Sequence, residues 1–356
     1  MAGTTPGVFR EEEQVTTMKP LKLLAAGAAA LLSVAAVPAE AQEGQSYLLA
    51  TASTGGTYYP VGVALATLVK IKLEPSQKIG MSAISSAGSG ENIALLDDNE
   101  VQFAILQGLF GAYAAKGTGT LAEGGPRENL RSITMLWPNV EHFVAWADGA
   151  ATGTIDDLAS LKGEKVSMGA QNSGTIESSR TIVNNLGHDM DVDFDLAYMG
   201  YGPSAEAMQN GQIELMSTPA GVPVSAVTQA FANMGDGVRI LEFTDEQIAE
   251  ANGDFEELWT KYVIPAGTYP GVDKDVTTIA QPNFLAVRDD VPEETVYLIT
   301  KTIFENLPFL QGIHGATKEM SLDTALAGLP LKLHPGAARY YEEVGLTIPD
   351  RLRPDA

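Results

Sequence analysis

Apolar and polar positions along the chain alternate between two periods, one of strands and one of helices. Tyr47–Ala52 is a short run of apolar and β-branched residues and predicts a strand. After a Gly-rich turn, Val61, Ala64, Leu65, Leu68 and Val69 recur at helical spacing and predict a helix over Val61–Lys72. The same alternation continues with a strand at Ile79–Ile84, a helix over Asn92–Asp98 opened by Ser89-Gly90-Glu91, and a strand at Val101–Leu106. Strands follow at Ser132–Leu136 and His142–Ala147. A second unit runs from the strand Lys165–Met168 through the helix Thr175–Leu186, the strand Asp195–Tyr198 and the helix Ser204–Asn210 to the strand Ile213–Ser217. The tail adds helices at Glu293–Glu305 and Pro335–Glu343, the first with acidic residues in its opening turn, where the helix dipole favours them. Strands alternating with helices predict an α/β fold of parallel sheets covered on both faces, and two units in succession predict two lobes. A ligand is then expected in the crevice at the carboxyl ends of the strands.

The chain has 356 residues, 45% of them hydrophobic, which is enough for about two domains with sizeable cores. A formal net charge of −23 argues against nucleic acid and anionic membrane surfaces as partners. It says nothing about the sign of a ligand, because a cleft can differ from the surface. The absence of cysteine excludes disulfides, thiolate metal sites, a cysteine nucleophile and a lipid-modified N-terminal cysteine.

The N-terminus reads as an address. Lys19 and Lys22 follow Met18, and Leu23–Val37 is an uncharged apolar run that is shorter than the ~20 residues a membrane span needs. Pro38 ends the run, and Ala39-Glu40-Ala41 fits a small-x-small cleavage site. Residues 18–41 are therefore expected to be a secretory signal peptide, with a mature protein beginning at Gln42 in the periplasm. The polar residues 1–17, which include Glu11-Glu12-Glu13, read as a misassigned extension ahead of the true start.

Three small-residue turns each lie between a predicted strand and a predicted helix. They are Ser53-Thr54-Gly55-Gly56-Thr57, Ser85–Gly90 and Gln171-Asn172-Ser173-Gly174-Thr175. A helix start offers free N–H groups and a positive dipole end, hydroxyls add donors, and glycine lets a ligand approach the backbone. Ordinary N-capping is the alternative reading of each. In the third loop Ser173 and Thr175 are expected to hold a ligand carboxylate, unless Ser173 only caps the helix. Of Tyr58 and Tyr59, either one packs in the core and the other closes over a ligand, or both pack in the core.

Enzyme signatures are poor. His142, His188, His314 and His334 are scattered without metal-ligand spacing. Ser173 is not in a nucleophile elbow, and no Gly-rich loop matches a Walker or dinucleotide fingerprint. The acid pairs Asp97-Asp98 and Asp156-Asp157 read as solvated helix ends, and Arg180 as solvent-facing. No metal, cofactor or catalytic residue is expected.

The segment Ser53–Gly62, reading STGGTYYPVG, resembles the opening motif of the TAXI family, the solute receptors of tripartite ATP-independent periplasmic (TRAP) transporters. Ser89–Asn92, Phe103–Gln107, Asp157–Gly174, Tyr201–Gly211 and Thr218–Gly221 are similar to later stretches of that family. So are Ile264–Gly271 (IPAGTYPG) and Leu333–Tyr341 (LHPGAARYY). One departure is that Gln171-Asn172 stands where the family often has Pro-Gly.

The resemblance implies a two-lobed, hinged periplasmic binding protein of type II-like architecture. Lobe one would comprise residues 44–138 and 275–356, and lobe two residues 139–274. It implies a small carboxylate ligand, of the glutamate, glutamine or 2-oxoglutarate class, and a TRAP membrane permease as partner. By position, Gly55, Gly56, Tyr58 and Ser89 would come from lobe one and Asn172, Ser173, Gly174 and Thr175 from lobe two, with Gly221 and Pro223 near the same crevice. Two other classes compete: a binding module for a membrane sensor kinase, and a hydrolase using Ser173, which would need a nearby base.

Overall fold

The computed structural model describes residues 44–355, so the expected signal peptide over 18–41 and the extension 1–17 lie outside the described residues. In chain order the first strands are β1 (Gln45–Ala50), β2 (Ile79–Ile84), β3 (Phe103–Gln107) and β4 (Leu130–Val140). Then come β5 (Phe143–Trp146), β6 (Lys165–Ser167), β7 (Asp195–Leu196), β8 (Leu215–Ser217) and β9 (Val238–Ile240). The last two are β10 (Thr260–Ile264) and β11 (Val276–Arg288).

These strands form two sheets. The first has the order β10-β11-β3-β1-β2, with β4 also paired to β11, and the second the order β7-β6-β8-β5-β9. The predicted parallel pairing holds for β1 with β2 and β3, and for β6 with β7 and β8. Both sheets are nevertheless mixed, because the long strand β11 runs antiparallel to β3, β4 and β10, and β5 runs antiparallel to β8 and β9. Strand β10 pairs with β11, so Thr260–Ile264 belong to the first sheet.

The helices that matter for the cleft follow the strand ends. They are α1 (Tyr58–Gln77), α2 (Ser89–Asp97), α3 (Gly108–Lys116), α4 (Gly174–Asn185), the short α5 (Met190–Asp193) and α6 (Tyr201–Gln209). In α1, Val61, Leu65, Leu68 and Val69 form one buried stripe, and burying each such side chain stabilises the fold by roughly 1.5–3 kcal/mol. The helix stops at Lys78, whose left-handed backbone lets its N–H return to the Glu74 carbonyl at 3.2 Å. Strand β3 is buried along its whole length, as expected of a strand with neighbours on both edges and helices over its faces.

The chain leaves the first sheet through Glu141 and His142, between β4 and β5, and both are fully buried. The return path runs beside it. Glu141 donates its N–H to the Ile279 carbonyl at 2.9 Å, Leu241 to that of Phe143 at 2.8 Å, and Phe243 to that of Thr277 at 3.0 Å. The two lobes are thus joined by adjacent, hydrogen-bonded segments.

Two surface expectations need correction or refinement. Asp157 is buried, and its carboxylate accepts the N–H groups of Thr152 and Gly153 at 2.9 and 2.7 Å, so it closes a turn instead of ending a solvated helix. Arg180 is half-buried and pairs with Asp191 at 2.9 Å and with Glu177.

Candidate ligand-binding cleft

Four helices begin at one place. The residues at the starts of α1 (Thr57, Tyr58), α2 (Gly88, Ser89), α4 (Ser173, Gly174) and α6 (Gly200, Tyr201) all line a single cavity of about 190 Å³ between the two sheets. Strand ends supply Gln107 from β3 and Asn139 from β4. This follows from topology: each loop leaves the carboxyl end of a strand and turns into a helix that packs back on its sheet, so the helix starts gather above the strand ends.

Among the described residues, no Lys, Arg, His, Asp or Glu lines the cavity. Its polarity comes from hydroxyls, amides and backbone. The helix starts contribute orphan N–H groups with the positive end of the dipole. Those of Gly174 and Thr175 have no protein partner among the described residues.

The lobes are closed over the cavity. Gln107 Nε2 donates to the Gly174 carbonyl at 2.8 Å, Glu91 N–H to that of Asn172 at 2.9 Å, and Thr57 Oγ1 to that of Gly221 at 2.8 Å. Glycine makes this approach possible. A Cβ on Gly174 would lie 2.6 Å from Gln107 Oε1 and 2.9 Å from Ser89 Oγ, and one on Gly90 would lie 2.4 Å from the Asn172 oxygen.

Of the residues singled out from sequence, Gly56, Tyr58, Ser89, Ser173, Gly174 and Thr175 line the cavity. Four do not. Gly55 packs on the start of α6, where an added Cβ would sit 2.8 Å from Gly202 N. Asn172 is exposed and contributes its carbonyl to the lobe contact. Gly221 lies behind the wall, against the indole of Trp137, and Pro223 faces a separate depression beside Trp137 and Tyr262.

The expected roles of two hydroxyls also change. Ser173 Oγ accepts the Ile176 N–H at 3.1 Å and donates to the Ala170 carbonyl at 2.7 Å, so the capping alternative holds and its proton is engaged. Tyr201 donates its phenol proton to the Pro219 carbonyl at 2.6 Å, so Thr175 Oγ1, 2.8 Å away, must donate to the Tyr201 oxygen. Neither hydroxyl proton is free. Ser89 Oγ accepts the Gln107 N–H at 3.1 Å and also hydrogen-bonds the Tyr58 phenol. Among the described residues, the partners of Ser173 Oγ are the Ala170 carbonyl and the Ile176 N–H, and neither is the base that a hydrolase using Ser173 would need.

Tyr58 is the buried member of its pair and donates to Asn283 Oδ1, while Tyr59 is half-buried. Burial pushes the Tyr58 and Tyr201 phenols well above their ordinary range, so both remain neutral. Gln107, Asn139 and Tyr201 are wall residues that sequence reasoning did not select.

The family model described as "NMT1-like family" matches residues 49–345. The fold is that of the two-lobed periplasmic binding proteins. The chain is similar to the periplasmic binding protein BugD, with 14% identity, 85% of this chain and 94% of that one covered, and a TM-score of 0.50. A protein of Bordetella bronchiseptica matches with 15% identity, 86% and 85% coverage and a TM-score of 0.52. The periplasmic aliphatic sulphonate binding protein SsuA of Escherichia coli matches with 13% identity, 84% and 83% coverage and a TM-score of 0.44. At these identities the likeness to BugD and to the Bordetella protein is one of fold. No helix among the described residues is long and apolar enough to cross a membrane.

Proposed function

We propose that this chain, which belongs to the NMT1-like family, is a solute receptor that closes on a small carboxylate in the periplasm and hands it to a TRAP-type membrane permease. The observation that supports this most is the meeting of four helix starts at an inter-lobe cavity that no charged side chain lines among the described residues. A hydrogen bond to a charged group contributes roughly 1.5–3 kcal/mol, and each helix dipole adds about 0.3–1 kcal/mol. Such a site rewards an anion and offers a cation no counter-charge. The free N–H groups of Gly174 and Thr175 would hold the carboxylate, in place of the engaged hydroxyls of Ser173 and Thr175.

The size of the cavity favours a solute of a few carbon atoms over a drug-sized ligand, for which clefts of ~300–1,000 Å³ are usual. Export rests on the signal-like segment 18–41, and the permease partner on the resemblance of the STGGTYYPVG, IPAGTYPG and LHPGAARYY segments to those of the TAXI receptors. A thermal-shift screen of the protein from Gln42 against small mono- and dicarboxylates, with amines of the same size beside them, tests the reading. Stabilisation by at least one carboxylate and by no amine is expected; stabilisation by amines alone contradicts it.

A further inference from the structure

We propose that Asn139 makes the cleft select, among small carboxylates, those that also carry a hydrogen-bond donor such as an amino, amide or hydroxyl group. This rests on the carboxylate reading above and deepens it.

The Gly174 carbonyl can only accept, so the Gln107 amide, 2.8 Å away, must present Nε2 to it. That turns Gln107 Oε1 toward Asn139. Asn139 must then present Nδ2, which lies 3.4 Å from that oxygen. The chain of amides leaves Asn139 Oδ1 as an acceptor. Asn139 is 2% exposed and lines the cavity, and its Oδ1 is buried with no partner among the described residues. A buried acceptor of this kind asks for a donor. The other cavity features named above, namely helix-start N–H groups and the Ser89 hydroxyl, are donors or already bonded, so in this proposal the Asn139 acceptor meets a part of the ligand different from its carboxylate once the ligand fills the cavity that Asn139 lines.

Orientation comes from the opposite lobe. Gln107 and Asn139 belong to β3 and β4 of the first sheet, while Gly174 starts α4 against the second. Closure therefore fixes which way the Asn139 amide points. A 2-oxo acid brings a second acceptor to Oδ1 and meets repulsion; an amino or hydroxy acid brings a proton.

Calorimetric titration with the 2-amino, 2-hydroxy and 2-oxo forms of one five-carbon dicarboxylate tests this on the parent, Asn139→Leu and Gln107→Leu. The parent is expected to bind the amino or the hydroxy acid at least about tenfold more tightly than the oxo acid. Asn139→Leu should bring the ratio to near unity. Gln107→Leu, which frees Asn139 to turn its Nδ2 outward, should also reduce it. Equal binding of the three acids by the parent, or an unchanged ratio in a folded Asn139→Leu variant, overturns the proposal while leaving the carboxylate reading intact. Failure of every carboxylate to bind the parent removes the receptor reading and the Asn139 proposal together.

Discussion

The side-chain amide of Gln107 bonds to the Gly174 carbonyl at 2.8 Å, tying the carboxyl end of β3 in one lobe to the first residue of α4 in the other. Gly174 can come this close because it has no side chain: a Cβ there would stand 2.6 Å from Gln107 Oε1. The contact exists only when the lobes meet, which makes it a handle on closure.

Gly174→Ala should therefore fold normally and close badly. The first turn of a helix tolerates alanine, and in an open form the added methyl touches nothing on the other lobe. Affinity for the ligand is expected to fall about tenfold or more, a loss of ~1.4 kcal/mol per decade, and small-angle scattering should show a smaller ligand-induced decrease in radius of gyration than in the parent. Parent-like affinity with parent-like compaction would show that the lobes need not approach as closely as described.

Ser173→Ala separates capping from binding. Its hydroxyl accepts from Ile176 N and donates to Ala170 O, so the substitution should cost about 1 kcal/mol of stability and leave affinity within twofold. Melting curves and titrations on the same preparation distinguish this from a hydroxyl that contacts ligand, for which affinity would drop and stability hold.

The paired segment between the lobes predicts a pH signature. Glu141 is fully buried, and desolvation raises its pKa to about 8 despite hydrogen bonds from Trp259 and Gln281. Its folded pKa lies above the unfolded value of 4.5, so the folded state holds more protons between those values. Stability from this group is then full below about pH 4.5, falls as pH rises toward 8, and is flat above. His142 acts in the opposite sense. Burial lowers its pKa to about 4, so its contribution is full above pH 6.5 and falls as pH drops toward 4. Glu141→Gln should gain melting temperature relative to the parent as pH rises from 5 to 8, and lose that relative gain at pH 4.5. A difference between the two proteins that is constant across this range contradicts an uncharged Glu141 at the lobe junction.

Much of this architecture was legible where local signals agreed. Strand Ile79–Ile84 and helices Glu293–Glu305 and Pro335–Glu343 have their predicted bounds, because turn residues, apolar spacing and helix-start chemistry coincide there. Helix α1 begins at Tyr58 instead of Val61, since Pro60 is compatible with a first turn and does not delay it. Strand β11, which makes the first sheet mixed, was not read: its residues include Gln281, Pro282 and Asn283, and its pairing is set by tertiary contacts with β3, β4 and β10.

The cleft was legible loop by loop. Three strand-to-helix turns were found by their small residues, and Gly200-Tyr201-Gly202 is a fourth that the same rule would have found. Gln107 carried a signal, as a polar residue closing the buried apolar run Phe103–Leu106. Asn139 carried none, because its place beside Gln107 comes from the alignment of β3 and β4 on either side of β11. The roles of Ser173 and Thr175 could not be assigned from sequence, since hydroxyls at a helix start serve the cap or the ligand equally well until their partners Ala170 and Tyr201 are in place.

The measurement closest to the central claim is calorimetric titration of the protein from Gln42 with the best-bound small carboxylate and with its carboxamide, in which the anionic charge is removed and the shape kept. Helix starts around an uncharged cavity predict that the carboxylate binds and that the carboxamide loses about tenfold or more, from the weaker hydrogen bonds and the lost dipole attraction. At a hundredfold excess over Kd the carboxylate should also stabilise the fold by about 2.7 kcal/mol. Equal binding of the two compounds, or tighter binding of the carboxamide, would contradict an anion-holding cleft.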